Sequence, residues 1–87
     1  GKKKMYAAYN IALGYEMQDS IDTALEWAIK AFNIAQEIDK MSEEVTSDTS
    51  IENKPNYILT ALYVNELQER ENSIDLLNVQ MKRFDEK

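Results

Sequence analysis

AYNIALGYEMQDSIDTALEWAIKA, residues 8–31, decides the fold of this chain. Small residues fall here at helical spacing on both sides of a short polar break, Gln18-Asp19-Ser20. Before the break, Ala8 and Ala12 stand four apart. After it, Ala24, Ala28, Ala31 and Ala35 alternate spacings of four and three, which places them along one helix face. Alanine in such a file lets a second backbone come close, so the two strips are expected to mesh. Asp19 or Ser20 can cap the second helix by accepting a hydrogen bond from its first free N–H groups, and Asp22 sits where the helix dipole favours negative charge. A turn this short permits only an antiparallel hairpin.

Working outward, the first helix is predicted over residues 5–17. Its apolar residues (Met5, Tyr6, Tyr9, Ile11, Leu13, Tyr15, Met17 and the alanines) fall almost all round the wheel, so it needs cover on more than one side, as in a stack of helices. Gly14 inside it costs about 1 kcal/mol relative to Ala. Close approach by a neighbour is the expected reason, and a tolerated surface glycine is the plainer one. The second helix is predicted over 21–41, with Leu25 and Phe32 on one edge of the alanine file and Ile21 and Ile38 on the other.

Residues 42–54 are polar, acidic and rich in Ser, Thr and Asp, which compete with helix hydrogen bonds, and are read as a loop. Pro55 opens a third helix, where its missing N–H costs nothing, with Asn53 or Lys54 near the cap. Thr60, Tyr63, Leu67, Arg70, Ile74, Leu77, Met81 and Phe84 then recur at spacings of three and four. A stripe that keeps phase across Glu71-Asn72-Ser73 predicts one helix over 55–84, with room for a kink at 71–73. Ile58, Ala61, Leu62 and Val64 widen its first half, which should pack on the hairpin. The second half has only the narrow stripe and no evident cover.

Several of these residues match a known pattern. The run Tyr9-Asn10-Ile11-Ala12 followed by Tyr15, then Ala24-Leu25-Glu26-Trp27 followed by Lys30-Ala31, resembles one tetratricopeptide repeat in residue type, spacing and turn length. Three positions depart from that pattern: Ala8 stands where a large residue is usual, Asp19 replaces the turn glycine, and Ala28 replaces a bulky residue. Asp tolerates the left-handed backbone such a turn needs. What the resemblance implies is a concave surface lined by first helices, with Tyr6, Tyr9, Leu13 and Glu16 pointing toward it to bind a protein or peptide. The other reading is that these residues are covered by the third helix or by upstream repeats of the same chain. With the helix running from Asn56-Tyr57-Ile58 to Leu67 and Arg70, the chain is also similar to the C-terminal part of uncharacterised bacterial envelope proteins that carry such repeats. That implies a fragment of a larger, exported protein and brings no activity with it.

Composition narrows the chemistry. The 87 residues make one domain, 44% hydrophobic and 30% charged, as in ordinary globular chains. A net charge of −6 argues against nucleic acid as a partner, because phosphate binding needs a cationic surface that only Lys2 to Lys4 and Lys82-Arg83 could offer. No apolar run is long enough for membrane insertion, and the lysine-rich start does not read as a signal peptide. Without His or Cys, and with no glycine-rich phosphate loop, nucleophile elbow or calcium-loop pattern, no catalytic, cofactor or metal site is expected. The acidic stretch from Glu43 to Glu52 is read as solvated rather than as a cation site. The expectation is therefore an all-α, tetratricopeptide-like hairpin with a long third capping helix, serving as an interaction or scaffold module and not as an enzyme. The alternative is a structural cap, or self-association as a weak homodimer through the Leu67 to Phe84 stripe.

Overall fold

The computed structural model describes residues 1–46 and 55–86. These form three helices, α1 (Lys2–Met17), α2 (Ile21–Thr46) and α3 (Pro55–Asp85), with no strand among the described residues. The protein is all-α: an antiparallel hairpin of α1 and α2, with α3 packed along the other side of α2. The extents of 62 × 23 × 12 Å are those of three helices laid side by side in one curved layer, since packed helix axes lie about 8–10 Å apart.

α1 begins earlier than residue 5. Gly1 is its N-cap position, and the Gly1 carbonyl accepts the N–H groups of Lys4 and Met5. No acidic residue occupies the first turn, so three lysines oppose the helix dipole there; good helix propensity and the fully buried Met5 hold the turn nonetheless. At the other end the Ser20 N–H donates to the Tyr15 carbonyl and the Asp19 N–H to that of Glu16, with Asp19 at φ 61°. This is a Schellman close, with aspartate in the left-handed position that glycine usually fills. The carbonyl of Ser20 then accepts the Ala24 N–H, opening α2.

α2 runs five residues beyond Met41, so residues 42–46 of the expected loop are helical instead. A helix already nucleated propagates cheaply, and Glu43 and Glu44 are good helix formers, which outweighs the hydroxyl residues around them. The rest of that loop, 47–54, lies outside the described residues, as do the expected caps Asn53 and Lys54. α3 passes through Glu71-Asn72-Ser73 as one unbroken helix, with the Gln68 side-chain amide donating to Asn72 one turn on.

The alanine file is the core. Ala24, Ala28, Ala31 and Ala35 are at most 1% exposed, and Ala8 and Ala12 meet them from α1. Ala12, Ala24 and Ala28 cluster with Ile21, Leu25, Tyr63 and Leu67 near the hairpin turn, and Ala8, Ala31 and Ala35 cluster with Met5 at the far end. Because the middle helix presents so low a ridge, side chains of α1 and α3 can reach each other across it.

Two expectations about packing need correcting. A Cβ added at Gly14 would meet nothing within 4 Å, so among the described residues no neighbour approaches there; Gly14 lies on the open side of α1 in a shallow depression with Ile11, Tyr15 and Gln18. On α3, Val64 packs on the core, but Ile58 and Leu62 are exposed. Leu62 lies about 200° around the helix from buried Thr60, which turns it away from the hairpin.

Candidate interaction surface

α1 and α3 run parallel, and their side chains meet at two levels. Tyr9 and Tyr63 sit with ring centroids 4.8 Å apart, tilted at 43°, a favourable aromatic arrangement. One and a half to two turns further on, Glu16 takes two donors from α3. Its Oε1 accepts the Tyr63 hydroxyl at 2.8 Å, and its Oε2 accepts the Arg70 guanidinium. Burial first, and then the hydrogen bond to the Glu16 carboxylate, push the Tyr63 hydroxyl well above its ordinary pKa. Tyr63 is therefore a fixed neutral donor, and Glu16 is committed at both oxygens.

Of the four residues expected to form a binding face, Tyr9, Leu13 and Glu16 are brought together against α3 or the core beneath it, and Tyr6 is left 46% exposed. The helical period places Leu59 and Leu62, also exposed, on the side of α3 that continues the Tyr6 side of α1. The result is a ridge-and-groove surface: Tyr6 and two leucines outside, the tyrosine pair and the Glu16–Arg70 bridge along the floor.

A second polar feature sits at the opposite end of the layer. Asp39 of α2, 2% exposed, accepts the Asn56 side-chain amide at Oδ1 and the Tyr57 backbone N–H at Oδ2, each at 2.9 Å. A carboxylate from one helix thus caps the N-terminus of another, where free N–H groups and the dipole favour it. Beside it Phe32 packs on Tyr57 with centroids 5.2 Å apart, and buried Thr60 satisfies its hydroxyl by donating to the Asn56 carbonyl. The sequence held a signal for Asp39: it stands seven residues after Phe32 and fourteen after Leu25, a charge on an otherwise apolar stripe.

Among the described residues, no group of three or more acidic side chains is arranged to hold a metal ion, and no helix is long and apolar enough to cross a membrane. No curated protein and no solved structure matches this chain. Residues 1–69 match the domain of unknown function DUF6340, and with that match covering most of its length the chain belongs to the DUF6340 family.

Proposed function

We propose that this chain is a tetratricopeptide-like protein-interaction module whose α1/α3 face receives an extended peptide or a helix of a partner protein. The observation that carries this reading is the exposed apolar set Tyr6, Leu59 and Leu62 on one side of a layer whose floor is fixed by the Tyr9–Tyr63 and Glu16–Arg70 contacts. Aromatic and aliphatic side chains held by a rigid scaffold bind at low entropic cost. Catalysis forms no part of the proposal, because the carboxylate and phenol in the groove are bonded to each other. The resemblance to a tetratricopeptide repeat supports the binding class, and the likeness to bacterial envelope proteins is the ground for proposing an exported parent.

The test is selection of peptides from a displayed library on the folded chain, followed by NMR titration with a selected peptide. Shifts should centre on Tyr6, Tyr9, Leu13, Glu16, Leu59 and Leu62. Shifts centred on the opposite flank, at Ile11, Tyr15 and Gln18, would refute the assignment. That flank favours a second reading, the structural cap: Ile11 is exposed and Tyr15 only half-buried, which is where an upstream repeat would pack. Adding the upstream part of the parent chain in trans separates the two readings, since a cap responds at Ile11 and Tyr15 and a peptide-binding module does not.

A further inference from the structure

We infer that the chain pairs with a second copy of itself, antiparallel, through the C-terminal half of α3. Beyond the hairpin turn, Ile74, Leu77, Met81 and Phe84 are 44%, 59%, 57% and 77% exposed, yet they continue the stripe that Tyr63 and Leu67 bury. Their spacings of three, four and three read the same in both directions. A copy laid antiparallel therefore sets Ile74 opposite Phe84 and Leu77 opposite Met81, twice each, around a twofold level with Val79. Each layer joins the two core positions of a heptad, as knobs-into-holes packing requires.

Charge supports the same orientation. Asp19, Asp22, Glu71 and Asp75 line a hollow with Ile21 and Ile74 beside the turn, and Glu71 Oε2 is buried there without a hydrogen-bond partner. Lys82 lies on the same flank of α3 as Glu71 and Asp75, and in an antiparallel pair like flanks face each other. The register brings Lys82 of each copy level with residues 75 and 76 of the other, at the edge of its acidic hollow, while Asp85 comes level with uncharged Ser73. A parallel pair would set unlike flanks against each other, with Lys82 at the level of Lys82 and away from the acidic hollow.

The contact is small. At about 100 Å² of apolar surface for each of four side chains, the scale implied by full burial, the pair buries roughly 800 Å² in all, below the ~1,200 Å² at which stable interfaces begin. The association is accordingly weak and concentration-dependent.

Sedimentation equilibrium of the 87-residue chain tests this over about 5–500 µM, a span that reads weak association. The weight-average mass should rise from 10.1 kDa toward twice that value. Leu77→Glu should hold it at the monomer, and Leu76→Glu, equally exposed but off the stripe, should leave the rise unchanged. Leu77→Lys and Met81→Glu should each abolish pairing, and the double variant should restore it, because only an antiparallel partner sets residue 77 against 81. Circular dichroism confirms that each variant keeps its helices. A monomer throughout, equal loss in Leu76→Glu, or a double variant that stays monomeric overturns the inference. None of these results bears on Tyr6, Leu59 and Leu62, so the peptide-binding proposal stands or falls separately.

Discussion

Replacing Asp39 by alanine should cost this protein about 2–4 kcal/mol. The carboxylate is 2% exposed and accepts two hydrogen bonds at 2.9 Å, one from a side-chain amide and one from a backbone N–H. Hydrogen bonds to a charged group are worth about 1.5–3 kcal/mol each. The sum is reduced because half-buried Asn56 can turn its amide to water, whereas the Tyr57 N–H at the start of a packed helix has no replacement. Asp39→Asn keeps an acceptor for Tyr57 and loses mainly the interaction of charge with the helix dipole, about 1 kcal/mol. Urea unfolding followed at 222 nm reads both: with a slope of about 1 kcal/mol/M for a chain this small, Asp39→Ala should lower the midpoint by about 2 M or more. Hydrogen exchange adds a local readout, since the Tyr57 amide should lose protection more than amides of α1. If Asp39→Ala unfolds within about 0.5 kcal/mol of the parent, the span of ordinary surface changes, the cross-helix cap is not what joins α3 to the hairpin.

Asp19→Gly should stabilise the fold by up to about 1 kcal/mol, because Asp19 holds φ 61° and glycine adopts that region without steric cost; thermal unfolding would show it. Gly14→Ala should also stabilise, by about 0.5–1 kcal/mol, since the position is helical and open, whereas a loss of stability would mean that a neighbour occupies that side. Tyr63→Phe should cost about 1–2 kcal/mol at neutral pH by leaving Glu16 with one donor fewer. It should also remove part of an alkaline loss of stability. The folded-state pKa of Tyr63 is raised, so its contribution is complete below about pH 10, the unfolded value, and is lost as pH climbs toward the folded value. Parallel unfolding curves of the two proteins between pH 9 and 11 would contradict the role of burial and Glu16 at that hydroxyl.

Periodicity carried the hairpin well, because alanine at helical spacing has one structural use and Gln18-Asp19-Ser20 leaves one turn geometry. The end of α2 was less legible: Ser42, Thr46 and their neighbours argue locally for a loop, but a helix end is set by the balance between propagation and competition, which residue type alone does not settle. Gly14 misled for a related reason, since a glycine in a helix signals either close contact or the lack of it, and only the neighbours distinguish the two. The floor of the groove was half legible. Tyr9 and Glu16 stood out on α1, but their partners Tyr63 and Arg70 lie 54 residues further along the chain, and nothing local links them. Asp39 was missed because a charge on a helix is ordinarily solvent-facing, and its meaning came from the register of α3 against α2.

The continuity of α3 has a mechanical consequence. At about 1.5 Å per residue its 31 residues form a rod of roughly 46 Å, clamped near its middle by Glu16 on Arg70. A continuous helix fixes both distance and bearing: whatever seats on Phe84 is held at a set offset and azimuth from the groove. Adding one residue between Arg70 and Ile74 would advance the tip by about 1.5 Å and swing it by about 100°. Inserting seven would lengthen the reach by about 10.5 Å while returning it nearly to its original bearing. The third helix thus works as a ruler with a compass, and helical phase is the quantity that any partner on its far end would read.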